Sequence, residues 1–258
     1  MTIPIISTKL HIPPPPQALV GRAHLTARLT GFQGKLILVS APAGFGKTAL
    51  LAEWAQDCNQ ACRVCWVHLD ESDNEPLRFM SYLIAALQTH NKDLGEAALS
   101  GLHAMPPAPI EAVLTSLVNE IDASAGDLIL VLDDYHLIET PAIHGAVEFL
   151  IEHLPAHMCI VIATRTDPPL SIHRFRARGQ MIEVRVEDLR FSHEETRRYL
   201  EMTLHDHFST SDIAALDGRI EGWIAGLQMV ALSIQGRQDR HEFIESFSGS
   251  HRFIMDYL

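Results

Sequence analysis

Leu36-Ile37-Leu38-Val39-Ser40 is an almost wholly apolar run, Ala41 to Lys47 is small and glycine-bearing, and Thr48 to Gln56 carries apolar residues at helical spacing. The order predicts a buried strand, a loop and a helix. Four more apolar runs follow at Val64 to Leu69, Leu128 to Leu132, Met158 to Ala163 and Met181 to Val186. They alternate with helical patterns near Pro76 to Gln88, Ile110 to Ile121 and Ala142 to His153, and a short amphipathic helix is predicted from Arg22 to Leu29. Strands with no polar face need cover on both sides, so the pattern predicts an α/β fold, a parallel sheet between two helical layers.

The two ends read differently. Residues 1–19, with Pro13 to Pro16 in series, read as an extended arm, because proline disfavours both helix and sheet interior. Beyond Phe191 the strand signals stop. Ser192-x-x-Glu195 is a capping box opening a helix, and helical spacing continues through Trp223 to Ile234. The division expected is an α/β domain over residues 20–187 and a helical subdomain over 188–258. The closing segment, His251 to Leu258, places Phe253-Ile254 and Tyr257-Leu258 at helical spacing and stops without a cap. A piece of a longer polypeptide is expected on that ground.

Composition narrows the function classes. With 47% apolar and 20% charged residues among 258, the chain reads as an ordinary soluble globular protein. No apolar run approaches the roughly 20 residues that a bilayer requires, and nothing at the N-terminus reads as an export signal. The expected location is cytoplasmic. A formal charge of −12 argues against this segment wrapping nucleic acid, since such binding rests on Lys and Arg displacing phosphate counterions. The four cysteines are expected as reduced thiols, and the fifteen histidines include no H-E-x-x-H pair.

Against that background Ala41-Pro42-Ala43-Gly44-Phe45-Gly46-Lys47-Thr48 stands out. It matches the phosphate-binding pattern G-x-x-x-x-G-K-[ST] at every fixed position but the first, where Ala41 replaces glycine. Backbone amides can curl around a phosphate only where no Cβ obstructs them, and the following helix N-terminus turns positive charge on the anion. Lys47 would bridge β- and γ-phosphates, and the Thr48 hydroxyl would ligate Mg²⁺. Leu128-Ile129-Leu130-Val131-Leu132-Asp133-Asp134 is an apolar strand ending in two carboxylates, the Walker B form. Asp133 would hold the Mg²⁺ through water, and Asp134 would orient or deprotonate an attacking water. Arg165, directly beyond the run Met158 to Ala163 and Thr164, is placed to sense a γ-phosphate; a guanidinium merely closing a strand is the plainer alternative. Val20-Gly21-Arg22 could lie against an adenine or be simply a turn.

Two further features have ordinary readings. Cys58-x₃-Cys62-x₂-Cys65 has an iron–sulfur spacing, with zinc as a variant, but Cys58 ends a helix and Cys65 lies in a buried strand, where a free thiol is a small hydrophobe. The acidic run Asp70-Glu71-Ser72-Asp73 reads as a solvated loop.

The assembled motifs resemble the N-terminal nucleotide-binding module of MalT-like transcriptional activators, signal-transduction ATPases with numerous domains (STAND) that carry a LuxR-type DNA-binding domain at the far C-terminus. The generic phosphate loop contributes less to that likeness than three segments in order. These are Asp133-Asp134-Tyr135-His136, Thr164-Arg165-Thr166-Asp167-Pro168-Pro169-Leu170 and Gly222-Trp223-Ile224-Ala225-Gly226-Leu227-Gln228. Alanine at position 41 is also what this family tends to carry. The resemblance implies a three-layer P-loop NTPase fold of the AAA+/STAND type followed by helices. It also implies an ATP/ADP switch in which ATP favours self-association and slow hydrolysis resets the module. DNA contacts would lie in a C-terminal domain outside this chain. The expected nucleotide contacts are Val20, Arg22, Ala41, Pro42, Ala43, Gly44, Phe45, Gly46, Lys47, Thr48 and Ala49, with Thr48 and Asp133 at Mg²⁺ and Asp134 and Arg165 in the chemistry. A dedicated kinase or motor ATPase, and a binding module without turnover, remain as alternatives.

Overall fold

A computed structural model describes residues 3–58, 62–104, 108–235 and 243–244. Five strands form one sheet: β1 (Leu36–Ser40), β2 (Arg63–His68), β3 (Leu128–Asp133), β4 (Met158–Thr164) and β5 (Met181–Val184). All neighbours are parallel, in the order β2-β3-β4-β1-β5. The strand predicted to reach Val186 ends two residues earlier, because Val186–Leu189 coils into a short helix whose Asp188 carboxylate accepts the Arg185 amide at 2.8 Å.

Every residue of β1 is buried, and alternate side chains enter different cores. Leu36 and Leu38 join the side covered by α3 (Pro76–Gln88), α4 (Glu96–His103), α5 (Ile110–Asp122) and α6 (Pro141–His153). Ile37 and Val39 join the side covered by α1 (Ala23–Thr30) and α2 (Lys47–Cys58), where Leu29, Leu51 and Trp54 are fully buried. Period-two alternation with both faces apolar thus becomes the expected three-layer sandwich. The short helix α4 was not predicted. It starts at Gly95, whose φ of 81° interrupts the helical pattern on its N-terminal side. A further short helix, α7 (Ile172–Ala177), precedes β5, and α8 is the turn Val186–Leu189.

The remaining helices, α9 (His193–Leu204), α10 (Thr210–Ile220) and α11 (Ile224–Ile234), enclose a third core with Leu200, Leu216, Leu227 and Val230. The capping box at the start of α9 forms both of its bonds: Ser192 Oγ accepts the Glu195 amide at 3.3 Å, and Glu195 Oε2 accepts the Ser192 amide at 2.8 Å. Ser209 and Asp212 make a second box that opens α10. The helical spacing read at His251 to Leu258 lies outside the described residues.

Two sequence expectations need correction. The arm is not wholly extended, because Ser7–Leu10 forms a 3₁₀ turn that buries Lys9. Nor is the acidic run a solvated loop. Asp73 is completely buried at the end of a second 3₁₀ turn, where it pairs with Lys9 and, at 3.2 Å, with Arg78. The Lys9 ammonium also lies 3.1 Å from Asp70 and 4.4 Å from the centre of the Tyr82 ring. A buried carboxylate is tolerated only with close cationic partners, and the arm supplies one of them.

Candidate functional site

The ladder of β1 continues one residue past the strand, with the Ala41 amide donating to the Thr164 carbonyl at 3.2 Å. Ala41 is therefore ordinary strand backbone, buried against the sheet, and that first position has no conformational need for glycine. Gly44 and Gly46 do, with φ of 79° and 78°. They also admit a close neighbour. A Cβ at Gly44 would fall 2.5 Å from the Ala225 Cβ and 2.6 Å from Trp223 Nε1, and one at Gly46 would fall 2.9 Å from Ile224 Cδ1. The helical unit thus sits directly on the loop. The Ala225 amide donates to the Gly44 carbonyl at 3.0 Å, and the Trp223 indole donates to the Ala43 carbonyl at 2.9 Å.

Helix α2 opens at Lys47, so its first-turn amides have no intrahelical acceptor and face the loop's concavity. Lys47 is buried and folds back, donating to the carbonyls of Ala41 at 2.8 Å and Pro42 at 3.1 Å. Burial holds its pKa below the usual lysine value against the opposing pull of Asp134 and Asp133, and the nearby Arg165 lowers it further. The Thr48 hydroxyl lies 3.1 Å from both carboxylate oxygens of Asp133, which is completely buried at the end of β3.

Strand order completes the cluster. Because β4 lies between β1 and β3, its C-terminal end delivers Arg165 between the phosphate-type loop and the two aspartates. Gly44, Gly46, Lys47, Thr48, Asp134 and Arg165 line one cavity of about 360 Å³. Asp134 is held in the left-handed region at φ 57° and ψ 37°, a strained position for a non-glycine residue, and its amide donates to Asp133 at 3.1 Å.

His68, which the motif reading did not single out, ends β2 in register with Asp133. Its Nδ1 lies 3.6 Å from Asp133 and its Nε2 lies 3.7 Å from Asp134. The Asp133 carboxylate beside it raises its pKa, outweighing burial. Among the described residues these three side chains are the cluster able to hold a metal ion, with ligand atoms within 4.8 Å of one another. In the sequence His68 is a polar residue inside the apolar run Val64 to Leu69, to which no motif gives a role. His136 Nδ1 lies 3.8 Å from Asp134, and burial lowers its pKa.

A second cavity of about 360 Å³ adjoins the first and shares Pro16, Gly46, Ala49, Ile224 and Gln228 with it. Val20 and Arg22 line it, but the Arg22 guanidinium is committed elsewhere. It donates to the carbonyls of Leu189 at 2.8 Å and Arg190 at 2.9 Å and to Glu195 at 2.9 Å. Arg22 thus ties the first helix to the segment before α9, with all three guanidinium nitrogens engaged in these bonds. Pro42 is exposed at the rim, and Phe45 packs partly against the α2 side of the sheet. The cysteines do not converge, because Cys58 and Cys65 belong to cores on opposite faces of the sheet. Burial also pushes the Cys62 and Cys65 thiols up to about 12, which keeps them protonated and poor ligands.

The donor set fits a polyphosphate with a hard divalent cation. Two positive-φ glycines and a helix N-terminus form the cradle, and a hydroxyl and a carboxylate oxygen converge beside it.

No family model matches the chain. It is, however, 36% identical over 98% of its length to the HTH-type transcriptional regulator MalT of Yersinia enterocolitica, and equally so to that of Yersinia pestis. The chain is homologous to the N-terminal part of the MalT regulators. It spans 28% of the length of those MalT relatives. Among solved structures, a STAND protein with a tetratricopeptide repeat sensor from Pyrococcus horikoshii shares the fold at a TM-score of 0.60 and 15% identity. That match covers 89% of this chain and 32% of the other. The Aeropyrum pernix ORC1 protein, solved in complex with DNA, aligns at a TM-score of 0.50 and 13% identity over 91% of this chain and 66% of its own. The chain therefore shares its fold with these two proteins, and the three-layer parallel α/β architecture expected from the sequence is the one found.

Proposed function

We propose that this chain is the nucleotide-driven switch of a MalT-type transcriptional regulator, binding ATP or ADP with Mg²⁺, self-associating with ATP and resetting by slow hydrolysis. The observation that carries this reading is the pair of hydrogen bonds from Trp223 and Ala225 to the loop carbonyls of Ala43 and Gly44. A ligand can shift an equilibrium only through contacts that differ between its states. Here the helical unit grips the loop that would hold the phosphates, so occupancy of that loop bears directly on the grip.

In this reading Lys47 exchanges the carbonyls of Ala41 and Pro42 for phosphate oxygens, which compensate its buried charge better than two peptide dipoles do. Thr48 and Asp133 hold the cation, whose chemistry is to offset phosphate charge. Asp134 orients the attacking water and accepts its proton, and Arg165 faces the charge that develops on the γ-phosphate. The units would divide near residue 188, with DNA contacts made by a domain outside this chain and the whole acting in the cytoplasm. Among the described residues, no helix is long and apolar enough to cross a membrane.

A binding module without turnover is the second reading, favoured by His68 and His136 lying 3.7 and 3.8 Å from the Asp134 carboxylate that would have to meet the water. Calorimetry with Mg·ATP on the wild type and Lys47→Ala, with light scattering in ATP against ADP, tests the switch. Binding lost at least a hundredfold in a folded variant, and growth in mass with ATP alone, are expected; unchanged affinity in Lys47→Ala would refute it. Equal single-turnover rates for wild type and Asp134→Asn would remove Asp134 from the chemistry and leave the second reading.

A further inference from the structure

Asp134 keeps a left-handed backbone that a non-glycine residue resists, so its surroundings must hold that conformation. The residues after it close a 3₁₀ turn, Tyr135–Leu137, in which the Leu137 amide donates to the Asp134 carbonyl at 3.0 Å and the Ile138 amide to the Tyr135 carbonyl at 3.0 Å. The far end of this turn is gripped by one side chain from another element. Asn74 closes the 3₁₀ turn Glu71–Asn74 that follows β2, and its Nδ2 donates to the Leu137 carbonyl at 2.7 Å. Its Oδ1 accepts the amides of Glu139 at 2.7 Å and Thr140 at 3.1 Å, and its own carbonyl accepts the Thr140 hydroxyl at 2.7 Å. Asn74 is itself anchored, because the preceding Asp73 is completely buried between Lys9 and Arg78. On the other side of the turn the Tyr135 hydroxyl lies 2.9 Å from His144 Nδ1, both residues being buried.

We propose that Asn74 is a positioning residue for hydrolysis: by holding Leu137 to Thr140 it keeps the Asp134 backbone left-handed and its carboxylate in the wall of the cavity shared with Lys47, Thr48 and Arg165. This inference rests on the reading of Asp134 as the group that orients the attacking water. An amide side chain suits the task, because it offers a donor and an acceptor side by side, as the Leu137 carbonyl and the amides of Glu139 and Thr140 require. Without that grip Asp134 is free to relax to the negative φ that residues with a Cβ prefer, which turns the carboxylate away from the water. A general base displaced by about 1 Å can lose up to about a hundredfold in rate. Asn74 is absent from the lining of that cavity, and the contacts expected of Lys47 and Thr48 come from α2, so the effect falls on the chemical step and spares binding.

The test measures single-turnover hydrolysis of Mg·ATP, and Mg·ATP affinity by calorimetry, for the wild type, Asn74→Ala, Asp134→Asn and the variant carrying both changes. Asn74→Ala is expected to hydrolyse about tenfold more slowly, with affinity altered less than about twofold. Because both residues act through one carboxylate, Asp134→Asn should slow the Asn74→Ala background far less than it slows the wild type. Should Asn74→Ala lose its circular dichroism signature, the same comparison is read in Asn74→Asp, which keeps the acceptor for Glu139 and Thr140 and removes the donor to Leu137. A wild-type rate in a folded Asn74 variant, losses that simply multiply in the double variant, or an affinity that falls as far as the rate would each overturn the assignment while leaving Asp134 its role. Equal rates for the wild type and Asp134→Asn would overturn the hydrolytic reading and this inference with it.

Discussion

The indole N–H of Trp223 donates to the carbonyl of Ala43 at 2.9 Å, joining residues 180 positions apart in the chain. With the Ala225 amide on Gly44, it fastens the start of α11 to the turn that precedes α2. Trp223→Phe keeps an aromatic ring and removes the donor. The expected loss of stability is about 1 kcal/mol, because one carbonyl loses its partner. The larger effect is expected in kinetics, with ADP released several times faster in a stopped-flow measurement on a fluorescent analogue. An unchanged release rate would show that the grip and the ligand are independent.

Arg22 and Glu195 form a buried pair across the two units, with side chains 6% and 14% exposed. Burial alone would raise the Glu195 pKa, but the Ser192 amide and the Arg22 guanidinium outweigh it and hold the group below the ordinary 4.5. A carboxyl with a depressed folded pKa contributes stability that is complete above its unfolded value and disappears as pH falls through the folded one. Glu195→Gln should therefore cost about 2 kcal/mol at pH 7. Urea melts of wild type and variant should converge once the pH is carried well below 4.5; a constant gap down to pH 3 would contradict the pairing.

Lys9 brings the arm to Asp73, and the same arm supplies Pro16 and Leu19 to the wall of the second cavity. Asp73→Ala leaves Lys9 and Arg78 without their buried anion, and a cost of about 3 kcal/mol is expected. Amide exchange over residues 3–19 should accelerate, and nucleotide affinity should fall together with it. Faster exchange with unaltered affinity would limit the arm to a structural role.

What the sequence by itself determined about this protein is what local order encodes. The apolar run ending at Ser40, the glycines at 44 and 46 and the helix after them specify a strand, a turn and a helix, because β-strand burial, positive φ and helical spacing are each read within a dozen residues. The Ser192–Glu195 box was legible for the same reason. The end of β5 was misread because an apolar Val186 suits a strand and a capped turn equally, and the Asp188 carboxylate decides between them. The motifs already grouped Lys47, Thr48, Asp133, Asp134 and Arg165, but only the tertiary structure decided how they meet and which other groups join them. Strand order inserts β4 between β1 and β3 and so places Arg165, pairing of β2 with β3 sets His68 against Asp133, and the fold of the helical unit lays Trp223 on the loop. Periodicity reports which face of an element is buried, whereas proximity between elements is set by sheet topology and packing, for which a single chain carries no local signal.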